Sequence, residues 1–244
     1  FCNLEHTKQM AKRVKAAGMK LLLDFHYSDY WADPGKQYKP AAWRNLSFDE
    51  LKKALYDYTK KVIRELKDQG TAPDMVQVGN EINHGIVWPE GSISNVDSMS
   101  QLIAAGIAGV KAVDPSIVIM LHIALGGQND ESVFFMDQMI ARKVPFDVIG
   151  LSYYPKWHGT LDDLRDNLDD LLRRYGKDLI VVEYSARKNE VNKIVFELPN
   201  GKGKGSCIWE PLNTWESFFD RDGRSNDYIK MYDEISKKYI DNQH

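Results

Sequence analysis

The stretch LIVVE, residues 179–183, places a glutamate directly after four consecutive apolar residues. A run this short and apolar is typical of a strand buried on both faces of a parallel sheet. Because a carboxylate buried without a partner is costly, Glu183 is expected at the strand end, facing a polar site. Five further short apolar runs occur along the chain, at residues 19–25, 75–78, 117–123, 146–153 and 206–209.

Segments with helical spacing separate these runs. Leucine, isoleucine and valine recur every three or four residues between 51 and 66, between 102 and 110 and between 161 and 172. Ser47 followed by Glu50 predicts a capping box, and Gly18, Gly70 and Gly176 stand where helices are expected to end. The alternation is βαβα throughout, without a linker or an internal change of composition, and indicates an α/β fold with a parallel sheet.

The number of strands leaves two architectures open. Six strands are predicted, and the chain opens on a helix from Leu4 to Ala17. A TIM-type (β/α)8 barrel has eight strands in roughly 250 residues, whereas an open, doubly wound sheet can have six. We predict a TIM-type barrel that lacks the first two strands in this chain. Residues 1–244 would then form one catalytic domain, truncated at its N-terminus.

Composition excludes several classes of partner. Of the 244 residues, 43% are apolar and 27% are charged, which is typical of a globular protein with a sizeable core. The net charge of −3, without a basic block, argues against nucleic acid, and no apolar run is long enough to cross a membrane. Cys2 and Cys207 fit no metal-ligand spacing, and no signal peptide is visible at Phe1.

Polar residues follow the apolar runs, where the active site of such a barrel lies. Glu81 comes after residues 76–80, VQVGN, and Glu183 ends the run described above. Glycoside hydrolysis uses two carboxyl groups, and we predict Glu81 as general acid/base and Glu183 as nucleophile. The alternative for each is a salt bridge to a neighbour. Glu210 and Glu90 are the competing acids, with a structural role favoured for Glu210.

Aromatic and polar side chains accompany these glutamates. Asn80 can hydrogen-bond the sugar 2-hydroxyl, and tryptophans or tyrosines in loops can stack on the apolar faces of sugars. The aromatic residues in or beside the predicted loops are Tyr30, Trp31, Trp43, Trp88, Tyr153, Tyr154, Trp157, Trp209 and Trp215. The side chains predicted to bind substrate are Asp24, His26, Trp31, Trp43, Asn80, Trp88, His122, Tyr153 and Trp209.

A metal site is the alternative for His26 and His122, since Asp24 and Glu81 could join them as ligands. No His-x-His pair and no His-Glu-x-x-His motif is present, and the histidines are better suited to hydrogen bonding. We therefore predict no catalytic metal and no cofactor.

The sequence resembles the arabinogalactan endo-β-1,4-galactanases of glycoside hydrolase family 53. The resemblance rests on LLDFHYSD (22–29), WADPGKQ (31–37), PAAW (40–43), VGNEI (78–82) and WPEG (88–91), with the strand that ends at Glu183. It implies a TIM barrel in which the acid/base and the nucleophile end strands four and seven, positions that fall on Glu81 and Glu183. It also implies retention of anomeric configuration and endo-cleavage of β-1,4-galactan.

The chain departs from the family pattern in two respects. Family members carry two further strands before the opening helix, including one with an arginine that supports the site, which leaves the activity of this chain in question. The segment after Glu183 is short, so the calcium site of some bacterial members is not expected. A related β-glycanase acting on mannan or glucan, and an inactive carbohydrate-binding barrel, are the alternative functions. A polymeric plant galactan implies a secreted or periplasmic enzyme.

Overall fold

The computed structural model describes residues 2–212 and 217–241. Trp215, one of the predicted aromatic residues, lies outside them. The chain forms two compact units: Phe1–His122 with Phe134–Val148, and Ile123–Val133 with Ile149–His244. The prediction of one catalytic domain over residues 1–244 stays a prediction.

The described residues form eight strands and eight α-helices. The strands are β1 (Leu22–Phe25), β2 (Met75–Val78), β3 (Gly85–Ile86), β4 (Gly91–Ser92), β5 (Val118–Ile123), β6 (Val148–Tyr153), β7 (Asp178–Tyr184) and β8 (Gly203–Ile208). The helices are α1 (Leu4–Ala16), α2 (Phe48–Asp68), α3 (Val96–Lys111), α4 (Asn129–Ala141), α5 (Pro155–His158), α6 (Leu161–Tyr175), α7 (Lys188–Phe196) and α8 (Lys230–Tyr239). None of the helices described is long and apolar enough to span a membrane.

The sheet of the first unit is parallel, as the apolar runs predict. Strand β2 pairs with β1 on one side, with Leu22 opposite Met75, and with β5 on the other, with Met75 opposite Val118. In the second unit β7 lies between β6 and β8 and runs parallel to β8. The sequence predicts β2 with its observed bounds and the other five long strands to within a few residues. It misses the antiparallel pair β3–β4, because two-residue strands carry no periodic pattern.

Helix boundaries follow the expected capping chemistry. Ser47 caps α2 in the predicted capping box, in which its Oγ accepts from the Glu50 N–H and the Glu50 carboxylate accepts from the Ser47 N–H at 2.8 Å. Thr160 and Asp163 form a second capping box at α6. Gly18, Gly70 and Gly176 have positive φ angles of 73°, 82° and 61° after α1, α2 and α6. Glycine tolerates this conformation and thereby ends each helix.

Each unit has its own apolar core behind the strands that carry the predicted site. In the first unit α3 packs closely on α2 and β2 at Gly106. A Cβ at this glycine would lie only 2.9 Å from Leu55 of α2 and 2.7 Å from Val78 of β2. In the second unit Leu164, Leu168 and Leu171 of α6 are fully buried, as are Leu179 and Val181 of β7. The strands are thus held from behind, which leaves their carboxyl ends for polar residues.

The ion pairs of Asp170 on helix α6 provide a test of how charge contributes to stability. Arg174, which donates to Asp170 at 2.6 Å, together with Asn129 and Arg173, lowers the Asp170 pKa to about 2. Since this carboxyl has a lower pKa folded than unfolded, its stabilisation is present above about pH 4 and is lost as pH falls towards 2. We expect Asp170→Asn to lower the free energy of unfolding by about 1 kcal/mol at pH 7, a value reduced for the exposure of the arginines.

Urea denaturation of both proteins at pH 7, 5 and 3 checks this expectation. The difference should shrink between pH 5 and 3, and Asp166→Asn, an exposed change on the same helix, should have little effect at any pH. A difference that persists unchanged at pH 3 would contradict the charge-based explanation.

Candidate active site

Glu81 lies in a turn of unusual backbone geometry directly after β2. Gly79 has a φ of 93°, and Glu81 has φ 48° and ψ 53°, in the left-handed region. A short 3₁₀ turn, Ile82–His84, follows. For a residue with a side chain this conformation costs about 1–2 kcal/mol. Such outliers persist when surrounding contacts over-determine them, and they cluster at functional sites.

A buried polar network lies beside this turn. His122, next to the last residue of β5, has no exposed surface. Its Nδ1 lies 2.9 Å from Gln77 Nε2, 3.0 Å from Asn80 Oδ1 and 3.4 Å from the Glu81 amide nitrogen. With Nδ1 unprotonated, His122 accepts from Gln77 and from the Glu81 N–H, and Gln77 also donates to Asn80 Oδ1 at 3.3 Å. The other tautomer, with a proton on Nδ1, donates to Asn80 Oδ1 instead. Asn80 Nδ2 donates to the Ala32 carbonyl at 2.9 Å. The predicted residues Asn80 and His122 therefore lie together with Glu81.

Asp24 and His26 form a pair at the end of β1. His26 Nδ1 accepts from the Ala32 N–H at 2.9 Å, which assigns the proton to Nε2, and Nε2 donates to Asp24 Oδ2 at 2.9 Å. Among the residues described, Asp24 Oδ1 is buried without a hydrogen-bond partner. Both ring nitrogens of His26 have protein partners, so the structure shows this residue as an anchor for the loop that contains Ala32.

Gln37 is a residue of this region that the sequence did not single out. Its side chain is almost fully buried, and Nε2 donates to the carbonyls of Asn80 at 2.8 Å, Asp33 at 3.1 Å and Glu81 at 3.3 Å. The backbone carbonyl of Gln37 accepts from the Trp88 N–H at 2.6 Å. A glutamine in a polar loop has no sequence signal for such contacts. Its only distinction was its place in the WADPGKQ motif.

Three predicted tryptophans of the first unit lie in different surroundings. Trp88 is partly exposed, donates its ring N–H to the His84 carbonyl at 3.0 Å and packs edge-on against exposed Tyr38, with ring centroids 5.8 Å apart. Trp31 is 69% exposed. Trp43 packs against Tyr27 and Tyr58, with centroids 6.5 and 6.0 Å away. Trp31 and Trp88 thus offer accessible rings, whereas Trp43 contacts a cluster of other aromatic residues.

Glu183 has an identifiable hydrogen-bond donor in the second unit. Tyr154 Oη donates to Glu183 Oε2 at 3.0 Å. The Tyr154 ring also packs edge-on against Trp209, with centroids 6.5 Å apart, and Trp209 is 40% exposed. Predicted residues Glu183 and Trp209 are therefore linked through a tyrosine that was not among the predicted substrate-binding residues.

Tyr153 is placed differently from the prediction. Its side chain is fully buried, and its hydroxyl donates to the Gly159 carbonyl at 3.1 Å. Because neighbours in a strand face opposite sides, only one tyrosine of the pair is directed to Glu183, and that one is Tyr154. A direct contact between Tyr153 and substrate does not fit a ring without exposed surface.

His158 supports the Tyr154 backbone. Its Nδ1 accepts from the Tyr154 N–H at 3.1 Å, and the rings lie 5.9 Å apart, edge-on. Burial lowers the His158 pKa, so the neutral ring that this hydrogen bond requires is favoured.

Glu90 and Glu210 are the competing acids, and a metal is the competing role for the histidines. Lys39 contacts Glu90 at 2.5 Å, which makes Glu90 part of an ion pair. Glu210 has a positive φ of 41° just after β8. Within residues 2–212 and 217–241, no group of three His, Cys, Asp or Glu side chains could hold a metal ion.

Carboxylates at the carboxyl ends of parallel strands, with accessible tryptophans nearby, are typical of carbohydrate-active α/β enzymes. The model of glycosyl hydrolase family 53 matches residues 1–190. An uncharacterized protein in the bgaB 5′ region of Niallia circulans is 47% identical, over 86% of this chain and 69% of its own length. The endo-β-1,4-galactanase of Bacillus subtilis is 40% identical over 72% of this chain, which spans only 40% of that protein.

The GH53 catalytic domain of Ignisphaera aggregans is 34% identical, with a TM-score of 0.91 over 96% of this chain and 79% of that domain. The chain belongs to glycosyl hydrolase family 53. Both the resemblance noted in the sequence and the predicted TIM-type barrel fold are thereby confirmed.

The rigidity of the turn that carries Glu81 can be tested by substitution of Gly79. A Cβ at this position would lie 2.5 Å from Ile82 Cγ2 and 3.1 Å from Ile86 Cγ2, in addition to the cost of the positive φ. Gly70→Ala is a matched control, because it has a positive φ and no heavy atom within 4 Å. We expect Gly70→Ala to cost about 1 kcal/mol from backbone strain, and Gly79→Ala to cost about 1–3 kcal/mol more through overpacking.

Denaturant unfolding measures both free energies. Equal losses in the two variants would show that the turn relaxes around the added methyl group, and would contradict the rigidity inferred for it.

Proposed function

We propose that this protein is a retaining glycoside hydrolase that cleaves internal β-1,4 linkages of galactan. The observation that carries the proposal is that Glu81 and Glu183 each lie at the carboxyl end of a parallel strand in a chain of family 53, each in a polar setting built for it. Glu183 accepts a hydrogen bond from Tyr154, and Glu81 stands in a left-handed turn beside a buried amide and histidine network.

The two glutamates would have distinct roles in a double displacement. Glu183 attacks the anomeric carbon while Glu81 protonates the departing glycosidic oxygen, which gives a covalent glycosyl-enzyme. Water then attacks that intermediate, Glu81 takes its proton, and Glu183 leaves as a carboxylate. The Tyr154 hydroxyl stabilises ionised Glu183, the form needed for attack. This mechanism requires the two carboxyl groups about 5–5.5 Å apart.

The substrate proposal rests on the relatives and on the accessible rings. The Bacillus subtilis relative is named an endo-β-1,4-galactanase. Trp31, Trp88 and Trp209 are at least partly exposed and are suited to stack on the apolar faces of galactose units. Asp24, His26, Trp43, Asn80 and His122 are proposed to shape or contact the binding surface of the first unit. Because a polymeric plant galactan lies outside cells, we also propose that the protein is secreted or periplasmic.

Release of reducing ends from β-1,4-galactan, measured beside mannan and cellulose, tests the activity. We expect release from galactan alone. Glu183→Gln should abolish it, and Glu81→Gln should lower the rate by about 10²–10⁴-fold, the usual contribution of a general acid/base. Glu210→Gln and Glu90→Gln are the matched controls, because these were the competing acids, and both should retain most of the activity.

The alternatives predict different results. Release from mannan or cellulose instead of galactan would indicate a related β-glycanase. Galacto-oligosaccharide binding without release from any polymer, by a folded sample, would indicate a carbohydrate-binding protein without turnover. Full activity of Glu183→Gln would exclude this residue as nucleophile.

The stereochemical course tests the two-step mechanism separately. Because both displacements invert the anomeric carbon, the first product is expected as the β-anomer. Proton NMR of the anomeric signals in the first minutes of digestion, before mutarotation, distinguishes the outcomes. An initial α-anomer would contradict a nucleophilic role for Glu183.

A further inference from the structure

We infer that Gln37 is a positioning residue that holds Glu81 in its left-handed conformation and thereby sets the place of the acid/base carboxyl. Neither the sequence motif nor the family assignment gives Gln37 a role. The effect of Gln37 on catalysis rests on the function proposed above. The conformational coupling between Gln37 and Glu81 can be measured without any turnover.

The contacts of the Gln37 amide support this role directly. Nε2 donates to the Asn80 carbonyl at 2.8 Å and lies 3.3 Å from the Glu81 carbonyl, so one NH₂ group contacts both peptide units of the turn. Three carbonyl oxygens surround this nitrogen, which fixes the amide orientation, since a flipped amide would place oxygen against oxygen. The side chain is 1% exposed.

The oxygen of the Gln37 amide shows that the side chain is oriented by its Nε2 contacts. Among the described residues, Gln37 Oε1 is buried without a hydrogen-bond partner, which is unfavourable. The left-handed backbone at Glu81 is unfavourable as well. Donation by the amide to the turn carbonyls offsets part of both costs and stabilises the strained conformation over its relaxed alternatives.

The loop that carries Gln37 is itself anchored to the site. The Ala32 N–H donates to His26 and the Ala32 carbonyl accepts from Asn80, at 2.9 Å each. Asp33 and Lys36 close a turn through reciprocal backbone hydrogen bonds of 2.9 and 3.4 Å. The loop before Gln37 is therefore fixed at several points, and a displaced Gln37 amide would act on Asn80 and Glu81 together.

The chemistry of the amide explains why glutamine suits this position. A carboxylate there would face three carbonyl oxygens and repel them, and an alkyl side chain would leave two of the turn carbonyls without this donor. An amide also does not titrate, so its contacts are the same at every pH at which a glycosidase works. The arrangement is thus independent of the protonation state of Glu81.

The experiment compares Gln37→Met, which keeps the chain length but removes the donor, with Gln37→Glu. Gln69→Met is the matched control, because Gln69 Nε2 also donates to a backbone carbonyl, that of Lys8 at 3.1 Å, away from the turn. On galactan, we expect Gln37→Met to lower kcat by ~10–100-fold, since displacement of a catalytic group by about 1 Å can cost 10²-fold. KM should change by less than about 3-fold, because ground-state binding is retained.

The pH dependence of kcat in Gln37→Glu is a readout that a merely structural role of Gln37 would not change. A protonated carboxyl has one O–H that can donate to a turn carbonyl, whereas the ionised form has none. Its kcat, relative to the wild type, should therefore recover as pH falls, which gives a pH profile displaced to the acid side. This variant also serves if Gln37→Met does not fold.

Backbone NMR shifts of Glu81, which differ between left-handed and extended conformations, are measured on the same proteins. They should move in Gln37→Met and stay unchanged in Gln69→Met. Unchanged Glu81 shifts with unchanged kcat would overturn the inference. If the wild type hydrolyses no polymer, the proposed function fails, and the Glu81 shifts still decide whether Gln37 holds the turn.

Discussion

The carboxyl end of β2 is the constraint on which the first unit's part of the site depends. Parallel pairing on both sides keeps residues 75–78 extended, and the backbone then enters the left-handed region at Gly79 and again at Glu81. Several polar side chains contact this turn. Gln37 and Asn80 connect the turn to the preceding loop, and His122 accepts from its backbone.

The second unit positions its carboxylate by different means. Glu183 lies within β7 and keeps a regular strand backbone, so no strained turn is needed to present it. Tyr154, which follows β6, contacts both Glu183 and Trp209. Neutral His158 holds the Tyr154 backbone. A single ring therefore connects the proposed nucleophile to an accessible tryptophan.

Much of this fold could be predicted because buried parallel strands have a strong signal. Residues 75–78 were predicted with their exact bounds, since four apolar or buried residues stand between a Pro-Asp turn and Gly79. Strand β8 was predicted at 206–209 and lies at Gly203–Ile208, because two glycines and a lysine hide its start. Gly203 is required there by the close approach of Val195, whose carbonyl would lie 1.7 Å from a Cβ. Such a packing reason is not visible in a periodic pattern.

The site was less predictable than the fold, since hydrogen-bond partners arise from tertiary contacts. The strand-end rule selected Asp24, His26, Asn80 and His122, yet their partners include backbone groups of Ala32 and Glu81 that no motif specifies. The same rule selected Tyr153 over Tyr154 because it cannot tell which face of the strand end is open. Gln37 was missed because its side chain contacts backbone carbonyl groups. Every residue has such a group, so these partners leave no signal in the sequence.

The Glu81 turn is contacted by His122 and by amide side chains, and the amides differ in kind from the carboxyl group they help to hold. Gln37, Gln77 and Asn80 are amides, which donate and accept without changing charge. A general acid/base must lose and regain its proton in each catalytic cycle, so its supports should not respond to that change. An amide framework keeps the same hydrogen bonds in both states. Ionic supports would strengthen and weaken with each proton transfer, whereas a neutral framework lets the acid/base titrate while its position stays constant.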